Sequence, residues 1–209
     1  MAPATGLRFR PVTEAGTKAG TEAGTAADAE ADAEAIAALH ADSWRRHYRG
    51  AYSDAFLDDD LDASMRMRWT SRLATPDPRA RTILAERDGV LVGFAHTILA
   101  DDPTWGALLD NLHVAYGLKR QGVGTRLLSL TARAVLAETP GSGLYLWVLE
   151  QNTAARAFYT ALGGECMERT AVPPPGGDPA NLNGHPFGLR FAWRNPSVLA
   201  ADPAAGPPG

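Results

Sequence analysis

Leu112-His113-Val114-Ala115-Tyr116-Gly117-Leu118-Lys119-Arg120-Gln121-Gly122-Val123-Gly124-Thr125 runs from an apolar strand pattern through a glycine-bearing connection into a helical one. Glycines at 122 and 124 let the backbone come close to a bulky anion. The free N–H groups at the start of the following helix, around Val123, Gly124 and Thr125, then point at that anion and the helix dipole favours it. Lys119 and Arg120 add positive charge to the same turn, which also holds Gln121. The combination reads as a phosphate or pyrophosphate cradle. Two common cradles do not fit. A dinucleotide fingerprint needs a small residue where Leu127 stands, and a P-loop needs Gly-Lys-Ser/Thr where the chain has Gly124-Thr125-Arg126.

Outward from this stretch, a strand is expected over 107–115 and a helix over 125–138, where Leu128, Ala132, Val135 and Leu136 share a side. The run 143–149 is almost wholly apolar, as in a parallel strand covered on both faces. A short helix follows over 153–162, with Asn152 as its N-cap and Gly163-Gly164 as its stop. Upstream, strands over 81–86 and 90–99 flank Asp88-Gly89 and read as a hairpin. Helices are expected over 33–50 and 53–73, the second interrupted by Asp58-Asp59-Asp60, and a first strand over 7–12. Two further strands, 165–170 and 187–194, flank the Pro/Gly/Asn-rich loop 173–186 over the ligand side, which reads either as a lid or, as is usual for its composition, as an ordinary loop. The order predicts one mixed α/β domain over 7–194, with a central sheet of about six to seven strands and about four flanking helices. Ligand binding is expected at the strand–helix–strand crossover. Residues 1–6 form a tail. The Thr/Gly tetrapeptides and Ala/Asp/Glu tract of 13–32 offer little to bury and are expected to be a flexible insert, and 195–209 a disordered tail.

Of the 209 residues, 45% are apolar and 21% charged, an ordinary globular balance. A formal charge of −4 gives no basic field for nucleic acid or an anionic membrane. The single cysteine, Cys166, precludes an intrachain disulfide and suits a reducing cytosol. No run reaches the roughly 18 apolar residues of a membrane helix, and the first ten residues lack the apolar block of a secretory signal, so a cytoplasmic protein is expected. His40, His47, His96 and His185 lack metal-ligand spacing, and no metal is expected.

Leu112-His113-Val114 followed by Lys119-x-x-Gly122-x-Gly124 resembles the coenzyme A pyrophosphate loop of the GNAT-type N-acetyltransferase superfamily. Lysine stands at 119 where that family more often has arginine or glutamine. Downstream, Asn152-x-x-Ala155-x-x-Phe158-Tyr159-x-x-Leu162-Gly163 resembles the family's second cofactor segment, and Ile36 to Gly50 is similar to its first helix. The resemblance implies acetyl-CoA as co-substrate and direct attack by an acceptor amine on the thioester. The acceptor would be a small-molecule amine or a peptide or protein amine, and a homodimer is left open. It also implies a sheet splayed between its fourth and fifth strands to admit the pantetheine arm, with the N–H near Val114 meeting the oxyanion.

On that pattern Tyr159 is the proton donor to the thiolate, against the plain reading of a core aromatic. Asp110, placed by strand alternation on the face of Leu112 and Val114, is the candidate base or binds a cationic acceptor. Asn111 and His113 are placed on the opposite face, and His113 reads as cofactor-lining filler or a group able to titrate near neutrality. Asn152 faces the cofactor arm or simply caps its helix. Trp44 and Tyr48 wall the acceptor pocket or form a packing stripe. Two rivals remain: a non-catalytic acyl-CoA binding module, and an assembly protein whose glycine turn is incidental.

Overall fold

A computed structural model describes residues 6–12, 26–118 and 120–200. All but the last residue of the expected tail 1–6, most of the Thr/Gly insert, Lys119 and residues 201–209 lie outside that set. Among the described residues seven strands form one sheet in the order β1-β2-β3-β4-β5-β7-β6. They are β1 (Leu7–Pro11), β2 (Ala80–Arg87), β3 (Val90–Asp102), β4 (Gly106–Val114), β5 (Leu144–Leu149), β6 (Glu165–Ala171) and β7 (Phe187–Trp193). Neighbours run antiparallel except β4 and β5, which are parallel. A parallel pair needs a crossover, and α3 (Val123–Glu138) provides it.

Two apolar layers hold the sheet. On one face α3 buries Leu127, Leu128, Ala132 and Val135 against Ala95, Leu109 and Leu146, and α4 (Thr153–Ala161) adds Tyr159. On the other face α1 (Ala26–His47) and α2 (Leu61–Ala74) bury Ile36, Trp69 and Leu73 against Leu84 and Phe94. The hairpin β2–β3 turns through Asp88 and Gly89, both at positive φ (54° and 77°), as a two-residue turn matching strand twist requires.

Three boundaries differ from expectation. Helix α1, expected from 33, already covers Ala26. Alanine and glutamate are strong helix formers, and the small Ala29 and Ala33 let this turn lie close to its neighbours. Asp32 is also tied down by Arg10 of β1, with Nη2 at 2.6 Å and Nη1 at 2.9 Å. The expected helix 53–73 is a wide π-helical turn, Phe56–Asp60, running into α2. That turn buries Phe56 and Leu57 while Asp58 and Asp54 meet Arg49 outside. The first residues of the expected tail form a short helix, α5 (Ser197–Ala200). Leu199 is buried there and Arg133 of α3 donates to the Ala200 carbonyl at 3.1 Å.

Candidate active site

The ladder between β4 and β5 holds only Ala107 with Leu144 and Leu108 with Tyr145. Beyond that point the strands part, and a cleft of about 760 Å³ opens between them, lined by Leu109, Leu112 and Val114 on one side and Leu146, Trp147 and Val148 on the other. The hydrogen-bond parity says which main-chain groups face the gap. Ala115 N–H donates to Val92 C=O at 2.9 Å, so in the antiparallel alternation Leu112 and Val114 turn their N–H and C=O away from β3, toward β5. Across the gap, Glu150 N–H donates to Phe187 C=O at 2.8 Å, which by the same alternation turns Trp147 toward β4. Two bare strand edges therefore face one opening, where an extended ligand can pair as a strand does.

At the mouth of that opening sits the start of α3. Gly122 is its N-cap at φ 78°, a left-handed conformation that glycine adopts without penalty. It has no side chain with which to cap, so the N–H groups of the first turn stay available. A Cβ at Gly122 would meet nothing within 4 Å, so the approach is open. One at Gly124 would sit 3.6 Å from Phe158 and 3.7 Å from Val114, ordinary contact distances. Gly122, Gly124, Thr125 and Arg120 line the cleft. Arg120 also has positive φ, 64°. Val123 contributes through its backbone only, its side chain being buried in the core. Gln121 turns outward, accepting from Arg87 at 3.0 Å. Lys119 lies outside the described residues.

Tyr159 is buried and lines the cleft, and burial holds its phenol above the ordinary value near 10, so it is a neutral hydrogen-bond donor at physiological pH. Asn152 also lines the cleft, but its Oδ1 accepts from Ala155 N–H at 3.1 Å. It caps α4 and thereby sets where the Tyr159 helix begins.

Asp110 is not where strand alternation places it. Thr97 pairs with Leu109 and His96 with Asn111, so Asp110 is the extra residue of a β-bulge. The bulge turns it off the Leu112/Val114 face toward α2, where its Oδ2 takes Arg72 Nη2 at 2.9 Å and Asn111 Nδ2 at 2.7 Å. It still lines the cleft. Beside it lies a group of histidines that spacing did not reveal as a unit. His113 Nδ1 is 2.8 Å from Ser43 Oγ, and its ring lies 4.5 Å from that of His40. Trp69 Nε1 donates to His40 Nδ1 at 3.0 Å, and His96 Nδ1 meets Thr82 Oγ1 at 2.7 Å. Desolvation, reinforced by the charge of His47, pushes His113 down to about 4; desolvation with Arg72 pushes His96 down to about 4; burial holds His40 well below the usual range. All three are neutral at pH 7. Among the described residues no cluster has the makings of a metal site.

Trp44 and Tyr48 stack with centroids 4.7 Å apart. Tyr48 lines the cleft, whereas Trp44 lines a smaller neighbouring pocket of about 350 Å³. The loop after β6 closes that pocket's rim with Pro175 and Gly176. It is held in place by Ser53 N–H to Asn181 C=O and Asn183 N–H to Ala51 C=O, both 2.9 Å.

The fold is thus a mixed α/β sheet that parts beside the start of a helix. The chain is a member of the acetyltransferase (GNAT) family, whose model matches residues 36–163, more than half of the sequence. Its fold is shared with PaiA N-acetyltransferase from Thermoplasma acidophilum in complex with coenzyme A, at 18% identity, TM-score 0.63, and 90% and 99% coverage of this chain and that one. It is shared too with an N-acetyltransferase from Staphylococcus aureus Mu50, at 13% identity, TM-score 0.61, and 90% and 98% coverage. NAA60 from Arabidopsis thaliana, in complex with a bisubstrate analogue, is similar at 16% identity, TM-score 0.58, and 90% and 97% coverage. No curated protein matches the sequence. No described helix is long and apolar enough to cross a membrane.

Proposed function

We propose that the protein moves an acetyl group from acetyl-CoA directly onto a primary amine. The observation that carries this reading is the β4–β5 ladder that ends after Leu108 and Tyr145, with bare strand edges beyond it. The cleft fits the co-substrate: open amides at Gly122 to Thr125 suit a diphosphate, and the edges of Leu112, Val114 and Trp147 suit an amide-bearing arm. When bound, acetyl-CoA supplies an activated acyl group.

The chain's own groups then divide the work. Val114 N–H, turned into the gap, stabilises the negative charge that develops on the acetyl oxygen. Asp110 receives the acceptor. Arg72 and Asn111 both occupy its Oδ2, and among the described residues none takes Oδ1, which accepts from the amine and draws off its proton directly or through water. Tyr159 donates its phenolic proton to the departing thiolate, and burial keeps that proton in place until then. Tyr48, which lines the same cleft as Asp110, walls the place of the acceptor.

The test is a thiol-release screen of amines with acetyl-CoA, paired with calorimetric titration of coenzyme A. Turnover of one amine together with measurable coenzyme A affinity supports the reading. Affinity without turnover of any amine leaves a binding module, and absence of affinity removes the cleft assignment.

A further inference from the structure

Arg68 stands apart from the other arginines of its helix. Arg66 is exposed and paired with Glu34, and Arg72 is paired with Asp110. Arg68 is more enclosed than Arg66, yet among the described residues it makes no hydrogen bond or ion pair. Enclosing a guanidinium without a partner is costly, and an anion brought to it offsets that cost. Its surroundings are those of a small-molecule site. Arg68 lines the pocket of about 350 Å³ together with Trp44, Phe56 and Met65, and the hydroxyl residues Ser64 and Ser71 also line it. An apolar recess with a few convergent polar groups is the usual build of a ligand pocket.

Position ties this pocket to the transfer site. Trp44 on its wall stacks on Tyr48 in the wall of the cleft. Arg68 and Arg72 lie one helical turn apart on α2, and Arg72 holds the Asp110 carboxylate, whose charge Arg68 feels. Charges facing Arg68 are therefore Arg72 and Asp110, which offset each other; the Tyr52 phenol that also faces it is uncharged and His40 nearby is neutral, so the local balance is positive although the chain is acidic.

We propose that Arg68 binds a carboxylate of the acceptor, so that the acceptor is an amine that also carries a carboxylate, an amino-acid-like molecule with an apolar side chain. This rests on the acetyl-transfer reading above and narrows its substrate class. The ammonium would meet Asp110, the carboxylate Arg68, and the side chain Trp44, Phe56 and Met65. A polyamine, all cation, would bring its charges against an arginine with no compensating partner.

The experiment compares phenylalanine and methionine with their primary amides, and with spermidine, in wild type, Arg68→Gln and Arg68→Lys. Two readouts are taken: kcat/KM with acetyl-CoA, and calorimetric affinity for each amine in protein saturated with coenzyme A. The expected result is an acid-over-amide preference of tenfold or more in wild type, cut to about twofold in Arg68→Gln and partly kept in Arg68→Lys, with coenzyme A affinity the same in all three. Equal handling of acid and amide by wild type, an undiminished preference in Arg68→Gln, or spermidine as the best acceptor each overturns the proposal while leaving acetyl transfer standing. Should coenzyme A not bind, the transfer reading falls by itself, and acid-against-amide titration of the protein alone still decides the role of Arg68.

Discussion

Gly106 and Gly143 meet so closely at the closed end of the parted strands that a Cβ on Gly106 would lie 2.2 Å from the Gly143 carbonyl oxygen. The same oxygen accepts from Ala107 N–H at 3.0 Å, and the ladder extends only as far as Leu108 before the strands separate. This contact is the vertex from which the cleft opens.

Gly106→Ala should therefore destabilise the fold beyond its backbone strain. At φ 88° a side chain costs about 1–2 kcal/mol, and the backbone clash adds ~1–3 kcal/mol. Gly89→Ala shares the positive φ, 77°, but meets nothing within 4 Å, so it should show the first cost alone. Urea unfolding of both variants checks this, and equal losses would remove the vertex argument.

Gly122→Glu places a negative charge where the first-turn amides of α3 open, and should weaken coenzyme A binding by about tenfold or more, ~1.4 kcal/mol. Gly122→Ala carries the same φ strain without the charge and should change affinity by about threefold at most. Calorimetry separates them; if Gly122→Glu binds as wild type does, the diphosphate does not sit there.

Tyr159→Phe keeps the buried ring and deletes the proton. Turnover should fall by about 10²–10⁴, the usual span for a general acid, with coenzyme A affinity held within about threefold. Loss of affinity equal to the loss of rate would instead mark Tyr159 as a packing residue of the cleft.

Stability should fall on the acid side of neutrality. His96 and His113 have folded values near 4 against an ordinary 6.5, so folding opposes their protonation. The contribution is complete above pH 6.5 and is lost as pH falls from 6.5 toward 4, at about 1.4 kcal/mol per unit of depression for each group. Melting temperature followed from pH 8 to pH 4 should be flat at first and then drop, and His96→Asn should flatten that drop. An unchanged slope in the variant would show that His96 is not the group being charged.

Much of the fold was legible because its signals are local. The apolar run 144–149, the Asp88-Gly89 turn and the capping at Asn152 each depend on residues a few places apart, and all seven strands appear where the pattern puts them. The glycine turn before α3 and the cap before α4 were legible for the same reason: Gly122 adopts a backbone conformation that its position demands, and Asn152 bonds only three residues away. The start of α1 was not, since Asp32 is held by Arg10 across the sheet edge. Nor was the π-helical turn at Phe56, where burial of Phe56 and Leu57 overrides the three aspartates that follow.

By itself, then, the sequence determined the family, the strand and helix order and the glycine-opened helix start, because short-range sterics and hydrogen bonding decide these. Tertiary structure alone decided the direction of Asp110, since a bulge is a mismatch between two strands and neither strand carries it alone. It also decided that three histidines share one desolvated site and that Arg68 is enclosed without a partner, because desolvation depends on what distant segments bring to a side chain.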